Sequence, residues 1–301
     1  MQTHLGAGLV GRLTRWLPTR RWQTAHWLGK LFVPRRPFVG RFLDGYLEVR
    51  PGEIASNAAF YTGFYEREVT MWCLEHLRNR PPELIVDVGA NFGYYPLLFG
   101  LKTAGKTTAI AFEPDPSNFA WLSRNLALNP SLNITAVHEA VSDIGGQLLP
   151  FESAKEGHNL FARVPLGSSQ KNEHAAATVE VRSVTLDGYL EQNSIPRVDL
   201  TLVDVEGHES RVIEGMAKGI ANRRYRAVMI EFHPWAFADP ATELARIADH
   251  FLAHRLRHLE SGATDKDLAF FCLTWCDSML APMSYDSRGP WEHYLFTCSE
   301  E

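Results

Sequence analysis

The run Leu84-Ile85-Val86-Asp87-Val88-Gly89-Ala90-Asn91-Phe92-Gly93 constrains this chain more than any other segment. Its start is apolar without polar alternation, which suits a strand covered on both faces, and parallel sheets are the ones buried in that way. Two glycines follow within five residues, so the backbone can turn tightly and approach a ligand closely. The pattern predicts a strand passing through a short turn into a helix. Downstream, TAIAFEP, NFAWLSRNLALN, ITAVHEAVSD, VEVRSVTLDGYL, VDLTLVDVEG and AVMIEFHP alternate strand-like and helix-like stretches. The expected fold is α/β, a doubly wound and mostly parallel sheet. FFCLTWC and HYLFTC are expected to pair as an antiparallel edge hairpin. Upstream, residues 58–77 read as one amphipathic helix stopped by Pro81-Pro82.

The chemistry of the turn selects among ligands. A dinucleotide turn has the form G-x-G-x-x-G and holds pyrophosphate at a helix N-terminus. Here Asn91 stands where the second glycine would be, and Asp87 lies two residues before Gly89. A carboxylate there repels a pyrophosphate but can bond, directly or through water, to an ammonium. That favours S-adenosylmethionine over a nicotinamide dinucleotide. Glu113, at the tip of the next strand, is placed to accept ribose hydroxyls, and Ala140, at a third tip, to offer backbone contacts to adenine. The predicted cofactor set is Asp87, Gly89, Asn91, Gly93, Glu113, Ala140 and Asp204.

Two later strand tips carry the remaining ionisable groups: Asp204, Glu206, His208 and Glu209 on one, Glu231, His233 and Trp235 on the other. An acid after a strand is often only solvated, and Glu206 and Glu209 would also favour the start of a helix. Their place at the carboxyl ends of the strands, where open α/β sheets bind ligands, gives Glu206, His208, Glu231 and His233 the catalytic reading. An acceptor alcohol must lose a proton, so His208 or His233 is the expected base, with Glu206 or Glu231 orienting it or the hydroxyl. A divalent ion gathered by Asp204, Glu206 and Glu231 is the lesser reading, and no metal is assigned.

At DVGANFGYY, FEPDPSNF, VTLDGYL, VDLTLVDVEGHE and VMIEFH the sequence resembles the FkbM-like methyltransferases, from about Tyr65 to Phe296. The resemblance implies a class I methyltransferase fold, S-adenosylmethionine as donor, and O-methylation of a sugar or natural-product hydroxyl. By motif match it assigns the cofactor role to Asp87, Gly89, Asn91, Gly93 and Glu113, and an active-site position to Asp204, Glu206 and Glu231. Gly157-His158-Asn159 lies where the family often has a loop over the substrate. Two positions depart: Leu202 stands where lysine is common, which removes a positive charge from beside Asp204, and Pro96 stands where a small hydroxyl residue is common. The rival reading is a binding module that keeps the cofactor pocket but transfers nothing.

A formal net charge of −5 offers no general attraction to polyanions, so the expected partner is a small molecule or glycan and not nucleic acid. The first 57 residues read as a separate extension and 58–301 as the transferase domain. Eight Arg and Lys residues before Asp44, with no acid among them, interleave with Trp16, Trp22, Trp27, Phe32 and Phe38. This arm either touches an anionic membrane surface or packs its aromatics on the domain, and packing is favoured. Cys73, Cys272, Cys276 and Cys298 form no C-x-x-C pair, which argues against zinc and suits reduced thiols in the cytosol. The stretch Pro165 to Ala177 is expected as an exposed loop, and oligomeric state has no signal in the sequence.

Overall fold

The computed structural model describes residues 36–50, 52–79, 81–155, 162–165, 175–252, 257–258, 270–274 and 292–297. The arm before residue 36, the Gly157-His158-Asn159 loop, most of the 165–177 loop and Cys276 and Cys298 lie outside them. Cys73 is buried as an unbridged thiol.

The chain opens with a hairpin of β1 (Phe38–Phe42) and β2 (Gly45–Val49), then α1 (Ile54–Thr62) and α2 (Arg67–Asn79). The single helix expected over 58–77 is therefore two. Gly63 takes φ 84° and caps α1 in the left-handed conformation, which breaks the helix before α2 begins. The first half of the main sheet follows: β3 (Leu84–Val88), α3 (Tyr94–Lys102), β4 (Thr108–Phe112), α4 (Pro116–Ala127) and β5 (Ile134–Val137). A small side sheet of β6 (Ala140–Val141), β7 (Leu148–Ala154) and β8 (Ala175–Val184) leads into α5 (Leu186–Gln192). Then come β9 (Leu200–Val203), α6 (Glu209–Glu214), α7 (Ala217–Ala221), β10 (Ala227–Phe232) and α8 (Pro240–Leu252). The described chain closes with β11 (Arg257–His258), β12 (Phe270–Thr274) and β13 (Glu292–Thr297).

The main sheet runs β11-β13-β10-β9-β3-β4-β5, with β12 also on β13. Its five strands β10, β9, β3, β4 and β5 are parallel, and β13 is antiparallel to β10 and to β12. This is the class I methyltransferase-like, doubly wound sheet with an antiparallel edge hairpin.

Side chains alternate across a strand, and each face of the sheet has its own core. Ile85, Leu200, Leu202, Ala227 and Met229 pack with the α2 and α3 side, while Val86, Val88, Val203, Val228, Ile230 and Phe232 pack with α5, α6, α7 and α8. The first of these cores also contains Phe38, Phe42, Leu47, Val49 and Ala55. Residues 38–57 were read as part of a separate extension, but their hairpin and helix are built into the domain. Two of these buried positions, Phe38 and Phe42, lie within the basic stretch, whose charges hid them. Among the described residues no helix is long and apolar enough to cross a membrane.

Candidate active site

The turn after β3 has the conformations that its glycines allow. Gly89 and Gly93 take φ 90° and 88°, and Asn91, one of the residue types that tolerates the left-handed region, takes φ 50°. A methyl on Gly89 would stand 1.8 Å from the carbonyl oxygen of Asp204, so the close approach of this turn to the tip of β9 demands glycine. Gly93 begins α3, and a methyl there would meet Leu122 at 2.6 Å.

Beside the turn opens a cleft of about 580 Å³, counting its mouth, lined by Gly89, Asn91, Glu113, Ala140, Asp204, Glu206 and His208 among others. Five of the seven predicted cofactor residues therefore line one cavity. Asp87 and Gly93 do not line it.

Glu113 ties the wall together. One carboxylate oxygen accepts the Asn91 N–H at 2.7 Å and the other accepts the Asp115 N–H at 2.8 Å. Burial pushes its pKa up to about 8, against the pull of those two donors. Asp115 in turn caps α4 by accepting from the N–H groups of Ser117 and Asn118, and also accepts from the Ser153 hydroxyl of the side sheet.

Strand alternation explains where Asp87 goes. It points to the same face as Ile85, toward α2, where burial and the nearby Glu66 push its pKa up to about 8. Leu202 is its in-register neighbour on β9. The charge missing at Leu202 is thus missing first from beside Asp87, with Asp204 next along the same face. Asp204 and Glu231 follow the same parity, so three strands deliver their acids to one side of the sheet.

At this end of the cleft the acids surround His233. The imidazole is 1% exposed, and its Nδ1 donates to Glu209 Oε1 at 2.6 Å. Nε2 faces Glu206 Oε2 at 3.6 Å, Asp204 Oδ1 at 3.8 Å and Glu231 Oε1 at 3.8 Å. Burial works against the charged ring, but Glu206 and Glu209 outweigh it and hold the His233 pKa well above the usual histidine value. Burial, reinforced by Glu231, drives Asp204 well upward, and burial raises Glu206 to about 7 against the pull of His233. Glu206 itself adopts φ 51° immediately before Gly207 at φ 99°. A left-handed non-glycine residue costs roughly 1–2 kcal/mol, and strain of this kind concentrates at functional sites.

His208 plays another part. Its Nε2 lies 2.9 Å from Ser142 Oγ, whose own proton goes to Asp143 Oδ1 at 2.9 Å, so Nε2 carries the ring proton. Burial lowers its pKa. Of the two candidate bases, the structure brings His233 and not His208 into the carboxylate group.

Glu209 is the residue that sequence reasoning missed. It is 0% exposed, and its Oε1 also accepts the Gly207 N–H at 2.9 Å. An acid opening a helix reads as a solvent-facing partner of the helix dipole, and its inward turn depends on β10 arriving beside it. Arg163 is the second omission. It is buried, pairs with Glu152 at 3.4 Å, sits over the Trp235 ring at 5.0 Å and pulls the Glu206 pKa downward.

Residues 87–259 match the Methyltransferase FkbM domain family. Hexuronic acid methyltransferase AglP of Haloferax volcanii is 25% identical over 179 residues, which cover 58% of this chain and 64% of that protein. Methyltransferase sdnD of Sordaria araneosa is 32% identical over 177 residues, covering 50% of this chain and 67% of the relative. The 2-O-methyltransferase NoeI of Sinorhizobium fredii is 26% identical over 157 residues, covering 50% and 63%. The chain thus spans about two thirds of the length of the relatives it matches.

Proposed function

Since the chain belongs to the FkbM methyltransferase domain family, we propose that it methylates a hydroxyl group of a sugar, glycan or natural product with S-adenosylmethionine as donor. One observation carries the proposal: the strained, carboxylate-rich tip at Asp204 and Glu206 forms the end of a cleft whose other wall is the glycine turn and Glu113. Sugar hydroxyls as acceptors are supported by the hexuronic acid and 2-O-methyltransferase relatives.

The residues present fit the donor. Gly89, Asn91 and Ala140 give backbone room, and the remaining lone pairs of Glu113 are available to ribose hydroxyls. Asp204 and Glu206 bring carboxyl groups to the lining of the cleft, where they can meet a ligand that carries a sulfonium and an ammonium. When bound, the sulfonium supplies a methyl carbon, which bonds to the acceptor oxygen as the carbon–sulfur electron pair returns to sulfur. The protein's work is orientation and exclusion of water, which can supply about 7–11 kcal/mol of barrier reduction. Its second task is to take the hydroxyl proton, and we assign that task to the group formed by His233 and the carboxylates around it. We place the reaction in the cytosol, in keeping with reduced thiols such as Cys73.

Calorimetric titration with S-adenosylmethionine, then transfer of labelled methyl to a panel of uronic acids and neutral sugars, tests the proposal. Binding with transfer to a sugar hydroxyl is expected. Absence of cofactor binding would end the reading, and binding without transfer to any acceptor would leave a non-catalytic binding module.

A further inference from the structure

We infer that Asp204, Glu206 and His233 hold a divalent metal ion of the manganese class at the acceptor end of the cleft. One ligand atom from each of the three lies within 4.8 Å of the other two. An ion bound at about 2.0–2.2 Å keeps neighbouring ligand atoms roughly 3–3.7 Å apart, close to the 3.6 and 3.8 Å from His233 Nε2 to Glu206 Oε2 and Asp204 Oδ1.

Two observations independent of the clustering point to a ligand. The His233 side chain is 99% buried, yet Nε2 makes no hydrogen bond, since its nearest carboxylate oxygens stand beyond hydrogen-bond reach. Asp204 Oδ1 is likewise sealed from solvent with no hydrogen-bond partner, although its side chain is 40% exposed toward the cleft. Buried polar atoms are normally satisfied, yet Asp204 Oδ1 is not, and it stands 3.8 Å from the unbonded Nε2. A neutral imidazole that donates Nδ1–H to Glu209 presents its Nε2 lone pair there, the carboxylate–histidine arrangement that orients metal-bound histidines. One nitrogen and two carboxylate oxygens, with room for solvent or substrate, suit a borderline divalent ion.

The role of the ion rests on the methyl-transfer reading, whereas its binding does not. Coordinated to the acceptor hydroxyl, it would lower that group's pKa, and the proton would pass to Glu231, whose Oε1 lies 3.8 Å from Nε2 outside the ligand trio. His233 would then be a ligand and not the base.

The test is titration of the chelator-stripped full chain with manganese(II) chloride, followed by calorimetry and by the loss of the free-ion spin-resonance signal. One ion per chain is expected, with at least tenfold weaker binding in Asp204→Asn and His233→Gln. Glu209→Gln should weaken it by about 10–100-fold, as loss of an orienting partner does elsewhere. Glu191→Gln, on an exposed surface, should bind as the wild type does. Melting curves establish that each variant is folded, and Asp204→Asn decides the matter if His233→Gln is not. No stoichiometric manganese binding, or unchanged affinity in Asp204→Asn, overturns the ion site. Titration of the same samples with S-adenosylmethionine separates the two readings: cofactor binding without manganese removes only the ion, and manganese binding without cofactor removes only the transferase proposal.

Discussion

Replacing Glu113 by Gln should stabilise the ligand-free protein at pH 8 while it cripples cofactor binding. Glu113 has an unfolded-state pKa near 4.5 and a folded-state value pushed up to about 8 by burial. The sign is opposite to that of a salt-bridged carboxylate. Its contribution to stability is fully present below pH 4.5 and is lost as the pH rises through 8, because the folded state must then carry a buried charge. Linkage puts the loss between pH 5 and pH 8 at roughly 3–4 kcal/mol. Gln has no such slope. It does forfeit one acceptor, since only one of the two backbone N–H groups that Glu113 serves can face the amide oxygen, and an unsatisfied buried N–H costs about 1–3 kcal/mol. The variant should therefore be equal to or less stable than the wild type at pH 5 and gain on it steadily toward pH 8. Urea unfolding of both proteins at pH 5, 6.5 and 8, compared as differences, measures this. Loss of a charged acceptor for the ribose should meanwhile weaken S-adenosylmethionine by roughly 10–100-fold, at about 1.5–3 kcal/mol per charged hydrogen bond. A constant stability difference across the pH range would refute the reasoning, because the two backbone donors would then have outweighed burial.

Three further substitutions probe the same wall. Gly89→Ala forces a methyl to within 1.8 Å of the Asp204 carbonyl at φ 90°, so cofactor affinity should fall more than tenfold by calorimetry; wild-type affinity would mean that the turn can shift freely. Glu206→Gly relieves about 1 kcal/mol of left-handed strain, so thermal melting should hold or rise slightly while labelled-methyl transfer is lost; destabilisation beyond about 2 kcal/mol would make Glu206 a structural residue. Asp115→Ala removes the acceptor for two N–H groups at the start of α4 and should cost about 0.5–2 kcal/mol in urea unfolding; an unchanged midpoint would show that water replaces the cap.

The strands LIVDV and AVMIEF were legible because each is a short, mostly apolar run with an acid one residue from its end. Gly89 and Glu113 were legible for the same reason, since sequence position at a strand tip fixes spatial position once the sheet is parallel. Asp87 lies near a tip too, but it is buried within β3 on the α2 side and does not line the cleft, and how far a strand-end acid is buried cannot be read from the strand alone. Gly63 was passed over because a glycine inside a helical pattern reads as tolerated until its left-handed φ is seen. Glu209 required tertiary knowledge outright: β10 must deliver His233 beside it before an ordinary helix-opening acid becomes a buried partner.

Leu202 gives the site a dependency. With a hydrocarbon in register beside Asp87, no cation on β9 answers the acids that β3, β9 and β10 gather on one face. His233, 3.6–3.8 Å from Glu206, Asp204 and Glu231, is then the cation that answers them, and it comes from beyond the end of β10. Balance at the strand tips therefore hangs on one imidazole, and a guest that displaces its proton must bring positive charge in its place.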